Sequence, residues 1–385
     1  MYAQNKIITY GVLFTSFRSL SLSVSVFYIL SKGVSLNELG VIKSFQALII
    51  FLLDVPTSYF SDRFSRKFSI VSAAIFAAAW LFTMSFAHHF SLFMLAECFN
   101  ALSLLLFNGA FIAFLVHYMP NNHIKKAIAS SNQYNKLAMA FAALGGSLFA
   151  HISSPTIWRL AGLLMSICAL WGYLFLPSDH LYRGGSDHNS IKQDLNHLIY
   201  SFQSSSRLCN ISVQYVTILL FMQIIIQYWQ PYTFGDRPQI EYAAVYGIFF
   251  AFLLLIQSLA SYYYQSKYYQ KSISEGLLLM SIVVSFCAYY GQQQALNMLS
   301  IAMLFLSSQI LGLDMSAQFH QLIPSELRAT YDSFLSSIYR LILVMILPAF
   351  TLLTSTIAWL SVPIFLTMMV LIHYGLDTLL KYRRK

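Results

Sequence analysis

The chain has 385 residues, of which 58% are apolar and only 10% are charged. A soluble protein of this size carries about 25% charged residues, so the composition excludes an aqueous enzyme. The 32 Phe and 25 Tyr residues exclude a disordered chain, because so much aromatic surface must be buried. A lipid bilayer must therefore be the main solvent. We attribute the net charge of +9 to the orientation of the chain in that bilayer, and we expect no nucleic-acid partner.

Twelve apolar stretches are long enough to cross a bilayer, which takes about 20 residues of helix. Each must be helical, because an open strand would leave backbone groups unpaired in lipid. The first six lie near residues 7–31, 36–60, 68–87, 91–118, 132–152 and 156–176. The last six lie near residues 208–232, 241–265, 272–290, 294–320, 331–354 and 357–380. The sequence predicts an all-α polytopic membrane protein with twelve transmembrane helices.

A polar segment separates two groups of six spans. We expect an N-terminal six-helix bundle over 1–176, a cytoplasmic linker over 177–207 and a C-terminal six-helix bundle over 208–385. Apolar residues recur at helical spacing late in the linker, so it is either an amphipathic surface helix or a flexible tether. Two equal halves indicate an internal duplication, which is the usual construction of secondary transporters.

Lys and Arg residues fall mainly on one side of the predicted membrane. With both termini in the cytoplasm, sixteen basic residues lie in inner segments and only Lys32 and Arg237 lie in outer loops. This asymmetry follows the positive-inside rule. It predicts a multi-pass protein of the inner (cytoplasmic) membrane with both termini cytoplasmic. The first span is too long for a signal peptide and no cleavage pattern follows it.

The loop between the second and third spans resembles the signature loop of the major facilitator superfamily, Gly-x-x-x-Asp-Arg-x-Gly-Arg-Lys. The acid and the three basic positions match at Asp62, Arg63, Arg66 and Lys67. Serine replaces both glycines, at Ser58 and Ser65. The stretch 324–330 is similar to the family's loop before the eleventh helix. The resemblance covers the whole chain and implies the twelve-helix fold of this superfamily with alternating-access transport.

The resemblance also implies a cytoplasmic gate. Asp62 would contact the N-terminus of the eleventh helix and latch the halves together when the cavity opens outward. The alternative is that the basic residues only fix the topology. The expected gating residues are Asp54, Asp62, Arg63, Arg66, Lys67 and Arg328.

Ionisable side chains within spans are rare and costly, so each is expected to face a water-filled cavity or a partner. They are Arg18, Lys43, Asp54, Glu97, Lys136, Asp314 and Arg340. By the resemblance, all of them lie on helices that line or flank the central cavity. Glu97 and Asp314 are the candidates for proton coupling, because a carboxyl group in a membrane cavity can load and release a proton.

Arg18 lies midway along the first span, and Tyr28 follows it on the same helical face. A guanidinium there can grip a carboxylate or phosphate in bidentate fashion. Alternatively, Glu97 neutralises it. Arg340 takes a comparable position in the second half, so the two arginines can hold one anion. The expected substrate-binding residues are Arg18, Arg340, Gln223, Gln227 and Tyr28.

The sequence shows no nucleotide-binding loop, no nucleophile elbow and no zinc-protease motif, and its histidines lack metal-ligand spacing. We therefore expect no enzymatic activity, no cofactor and no metal. We expect a monomeric secondary transporter of a small organic solute that is anionic, such as a carboxylate metabolite or a siderophore, with proton coupling. Two alternatives remain open: a multidrug efflux transporter of amphipathic compounds, and a transporter-like membrane receptor or sensor.

Overall fold

The computed structural model describes residues 2–63, 65–118, 124–152, 154–178, 205–235, 242–323 and 328–382. These residues form helices and short connections, with no strand among them. The first predicted span comprises α1 (Tyr2–Ser19), a 3-10 turn (Leu22–Val24) and α2 (Ser25–Ser31). The next helices are α3 (Leu36–Arg63), α4 (Arg66–Phe86), α5 (Phe90–His117), α6 (Ile124–Ile152) and α7 (Ser154–Phe175). The last six are α8 (Ser206–Phe234), α9 (Ala243–Gln265), α10 (Lys271–Gly291), α11 (Gln294–Gln321), α12 (Arg328–Ile357) and α13 (Ser361–Tyr382).

Among the described residues, ten stretches are long and apolar enough to cross a membrane. They cover the predicted spans with two differences: α6 is not among them, and α12 and α13 fall into one stretch, Phe334–Gly375. The predicted all-α membrane fold is confirmed, whereas the count of twelve spans stays a prediction. The predicted boundaries of the two halves also stay predictions, and most of the predicted linker, 179–204, lies outside the described residues.

Serine side chains cap the N-terminal ends of two of the helices. At the start of α3, the Ser35 N–H donates to Glu38 Oε2 at 2.8 Å while the Glu38 N–H donates to Ser35 Oγ at 3.2 Å, which is a capping box. At the start of α4, Ser65 Oγ accepts from the Phe68 N–H at 3.1 Å. Serine in the second glycine position of the signature loop therefore caps the helix that follows.

The first span is not the single continuous helix that the sequence predicted. Before the break, the Thr15 and Ser19 hydroxyls donate to carbonyl oxygens four residues earlier, at 2.8 and 2.7 Å, and such bonds weaken and bend helices. Gly146 of α6 packs directly on the break, since a Cβ there would lie 1.8 Å from the backbone oxygen of Leu20. Only glycine allows this close approach of two backbones.

The described helices form two compact units. The first comprises Met1–Tyr182 with Gly235–Ser258, and the second comprises Arg183–Phe234 with Leu259–Lys385. In the first unit, α4 packs against α5 and α7, α3 packs against α5, and α1 packs against α6 and α7. In the second unit, α11 packs against α10 and α8, and α13 packs against α8. Arg18 of α1, Lys43 of α3 and Glu97 of α5 are thereby brought into the interior of the first unit.

Candidate functional site

Lys43 on α3 and Glu97 on α5 form an ion pair inside the first unit. Lys43 Nζ lies 2.7 Å from Glu97 Oε1, and the two residues are 7% and 0% exposed. A lone ion would be very costly in this environment, so the pairing is what allows both charges to be buried. The direct partner of the Glu97 carboxylate is therefore Lys43.

Asn100 connects this ion pair to Arg18. One turn along α5 from Glu97, the Asn100 Nδ2 group donates to Glu97 Oε2 at 2.6 Å. The other end of the same amide, Asn100 Oδ1, accepts a hydrogen bond from Arg18 Nη2. Arg18 thus contacts Glu97 through a neutral amide, and no direct ion pair joins the two side chains in this arrangement.

Two further side chains hold the Arg18 guanidinium. Arg18 Nη1 donates to Ser103 Oγ at 3.4 Å, and the guanidinium carbon lies 4.6 Å from the centroid of the Trp80 ring on α4. The ring face carries partial negative charge and attracts the cation. Arg18 is only 8% exposed, and its position is fixed by Trp80 of α4 together with Asn100 and Ser103 of α5.

The contacts join two cations to one carboxylate. Lys43 and Arg18 are positive, Glu97 is negative, and Asn100, Ser103 and Trp80 are neutral. Among the residues joined by these contacts, one positive charge is therefore left without a negative partner. We call these six residues the Arg18 cluster.

Tyr28 does not share a continuous helical face with Arg18, because the helix is interrupted between them. It is fully buried within the first unit. Its hydroxyl donates to the backbone oxygen of Ser85 at 3.4 Å, and its ring centroid lies 5.4 Å from that of Trp158. These contacts are typical of a packing residue, so its predicted role in substrate binding has no support from its position.

Asp314 on α11 lies in the second unit near the loop that joins α9 to α10. Its Oδ2 accepts from Gln318 Nε2 at 2.8 Å and lies 3.9 Å from Lys271 Nζ. The nearby phenol of Tyr269 has its pKa raised by burial and, to a smaller extent, by the negative charge of Asp314, so Tyr269 stays neutral. The loop residues 266–270 include no Asp or Glu, so Asp314 of α11 is the acid beside this loop.

Arg340, Gln223 and Gln227 are the other predicted substrate-binding residues, all partly exposed within the second unit. Arg340 Nε donates to Ser336 Oγ at 3.4 Å, and its guanidinium carbon lies 5.1 Å from the Tyr339 ring centroid. Both partners belong to α12. Among the described side chains, no carboxylate forms an ion pair with Arg340.

The predicted gate is described only in part. Lys67 Nζ donates to the backbone oxygen of Leu176 at 2.8 Å, which places a cation at the C-terminal end of α7, where it is favourable. Asp54 is partly exposed on α3, and Arg66 is the first residue of α4. The side chains of Asp62, Arg63 and Arg328 lie outside the described residues, so the latch stays a prediction.

Sequence reasoning missed the roles of Trp80 and Ser103 and the partner of Lys43. Hydropathy identifies a charge within a span, but the partner depends on how each helix is rotated about its axis. Trp80 lies on the third predicted span, 68–87, which contains none of the predicted site residues. The sequence did contain one indication of this network, because Glu97, Asn100 and Ser103 are spaced along one face of α5.

Comparisons with known proteins identify the family. The model of the Major Facilitator Superfamily matches residues 7–348. The MFS-type transporter YxaM of Bacillus subtilis (strain 168) is 24% identical over 258 residues, which are 63% of this chain and 63% of the length of YxaM. This match therefore spans less than two thirds of that relative.

Several solved structures share the fold. The nucleoside transporter NupG has a TM-score of 0.77 at 13% identity, over 99% of this chain and 100% of NupG. A bacterial homolog of the human lysosomal transporter Spinster, inward-facing and occupied, has a TM-score of 0.75 at 14% identity, over 98% of this chain and 96% of the homolog. At these identities the likeness concerns the fold alone. Because the family model covers most of the chain, this multi-pass membrane protein belongs to the Major Facilitator Superfamily.

Proposed function

We propose that the protein is a secondary transporter that moves a small organic anion across the inner membrane by alternating access, as a monomer. The solute would be a carboxylate metabolite or a siderophore-like polycarboxylate. Membership of a transporter superfamily supports transport rather than enzymatic activity. The observation that best supports an anionic solute is the single uncompensated positive charge of the Arg18 cluster.

A buried charge without a counter-charge is unfavourable, so a cluster with one excess cation gains from a bound anion. Arg18 suits this role because its guanidinium has more N–H donors than the two hydrogen bonds to Asn100 and Ser103 use. Its planar fork also matches the geometry of a carboxylate. Arg340, which pairs with no described carboxylate, is the second group proposed to contact the anion.

Proton coupling is part of the proposal, and Asp314 suits it better than Glu97. Protonating Glu97 would leave Lys43 as a second unpaired cation in the interior. Asp314 has a side chain that is 13% exposed, and its cationic neighbour Lys271, whose side chain is 39% exposed, is 3.9 Å away. A partly solvated pair contributes little to holding the carboxylate in its charged form, so Asp314 can exchange its proton at smaller cost.

A ligand screen on the purified protein tests the anionic solute. The melting temperature is measured with citrate and benzoate as anions, xylose as a neutral solute and tetraphenylphosphonium as an amphipathic cation. A ligand that binds the folded state at 100 times its Kd stabilises it by about 2.7 kcal/mol. We expect stabilisation by at least one of the carboxylates and a smaller effect in Arg18→Lys. Stabilisation by tetraphenylphosphonium alone would contradict the proposal and favour drug efflux.

A further inference from the structure

The orientation of the Asn100 amide is fixed by its two charged neighbours. A carboxylate only accepts hydrogen bonds and a guanidinium only donates them. The Asn100 amino group must therefore face Glu97, at 2.6 Å, and its carbonyl oxygen must face Arg18. No flipped arrangement satisfies both contacts. Asn100 consequently links Glu97 to Arg18 without a direct ion pair between the two charges.

Lys43 determines where the negative charge of the cluster resides. With Lys43 Nζ at 2.7 Å from Oε1, the Glu97 carboxylate has a direct cationic partner on α3. The two groups of α5 that touch Arg18, Asn100 and Ser103, are both neutral. The same helix thus supplies one acid to Lys43 and only uncharged acceptors to Arg18.

We propose that Asn100 and Ser103 are selectivity-determining residues: they position Arg18 while leaving its charge uncompensated, and Lys43 keeps Glu97 from neutralising it. The proposal rests on the proposed function for the anionic class of the ligand. It adds that the net positive charge of the Arg18 cluster sets the selectivity for anions. Asn100 and Ser103 maintain this net charge because they are neutral, and they need not contact the ligand. Lys43 acts here by balancing the charge of Glu97 directly, and not by orienting Arg18.

Ser103 offers a matched pair of variants that differ by one charge. Ser103→Asp places a carboxylate beside Arg18 Nη1, while Ser103→Asn adds a side chain of the same size without charge. We expect Ser103→Asp to bind citrate or benzoate about a hundredfold more weakly than Ser103→Asn. In the absence of any anion, Ser103→Asp should melt at a higher temperature than Ser103→Asn, because it supplies the missing counter-charge.

The double variant Lys43→Met/Glu97→Gln tests whether carboxylate binding depends on the net charge of the cluster or on the ion pair itself. It removes one positive and one negative charge, so the excess of one cation is retained, and the introduced glutamine oxygen still accepts from Asn100. We expect its affinity for the bound carboxylate to stay within about threefold of the wild type, since RT ln 3 is under about 1 kcal/mol. Loss of affinity in a folded double variant would contradict the charge-balance account.

Equal carboxylate affinity and equal melting temperature in Ser103→Asp and Ser103→Asn would overturn the inference while leaving the proposed function intact. If neither citrate nor benzoate binds the wild type, the proposed anionic solute is contradicted. The melting temperatures of the two ligand-free Ser103 variants still test the uncompensated charge of Arg18 in that case. A lower or equal melting temperature in Ser103→Asp would then refute the uncompensated charge itself.

Discussion

Replacing Lys43 with Met is expected to destabilise the protein strongly. The change removes the direct counter-charge of a carboxylate that is 0% exposed. Glu97 would keep the hydrogen bond from Asn100, but the remaining cation of the cluster, Arg18, lies beyond that amide and makes no direct ion pair with the carboxylate. Breaking a buried ion pair by removing one partner costs about 3–5 kcal/mol, and we expect a loss near the lower end of this range in the free energy of unfolding, because Arg18 still offsets part of the charge.

A double-mutant cycle separates the interaction energy of the ion pair from the packing energy of the Lys43 methylene groups. Lys43→Met/Glu97→Gln leaves no buried charge without a partner at this position, so it should lose only about 1–2 kcal/mol through altered hydrogen bonds. The coupling between the two sites should therefore be about 2 kcal/mol or more. Reversible unfolding in mixed detergent micelles gives the free energy of unfolding of the wild type, the two single variants and the double variant.

Lys271→Met is the matched control, because Lys271 belongs to partly exposed ion pairs with Glu275 and Asp314 at 3.7 and 3.9 Å. Exposed pairs contribute about 1 kcal/mol or less. If Lys43→Met costs no more than Lys271→Met, or if the coupling energy is zero, the buried charge network does not exist as described.

Three further predictions concern the helix break, the proton site and the gate. Gly146→Ala should lower the free energy of unfolding by several kcal/mol, because its Cβ would lie 1.8 Å from the Leu20 oxygen; Gly145→Ala, with nothing within 4 Å, should be neutral or stabilising. Asp314→Asn should still exchange substrate across a proteoliposome membrane but fail to concentrate it against a gradient. Asp62→Asn should lower the population of the outward-open state, measured by accessibility of single cysteines to reagents added from outside.

Each of these predictions has an outcome that contradicts it. Equal stability of Gly145→Ala and Gly146→Ala would mean that the two backbones do not meet at the break. Undiminished, pH-dependent accumulation in Asp314→Asn would remove this carboxylate from proton coupling. Unchanged outside accessibility in Asp62→Asn would leave the basic residues of the loop with a topological role only.

The sequence predicted the fold well because membrane helices are specified locally. Span length and hydropathy place most helix ends within a few residues, since every backbone group must pair within its own helix in lipid. The break in the first span escaped prediction because it depends on a distant residue. Nothing near Leu20 indicates that Gly146 packs there.

The site was predicted as a set of charges but not as a network. Arg18, Lys43 and Glu97 stand out in the sequence because ions are rare within spans. Their pairing was not predictable, because Lys43 and Glu97 are 54 positions apart and meet only through the packing of α3 on α5. The neutral residues Ser103 and Trp80 carry no signal by themselves, since serine and tryptophan are common in membrane helices.

Transport of an organic anion held by Arg18 is the proposed activity of the protein. Counterflow in proteoliposomes tests it most directly: vesicles are preloaded with unlabelled citrate or benzoate, and entry of the same labelled carboxylate is followed in the wild type and in Arg18→Lys. We expect transient accumulation of at least one labelled carboxylate by the wild type and a rate at least about tenfold lower in Arg18→Lys, which loses the planar fork. Equal rates in both proteins, or counterflow of tetraphenylphosphonium without counterflow of either carboxylate, would contradict it.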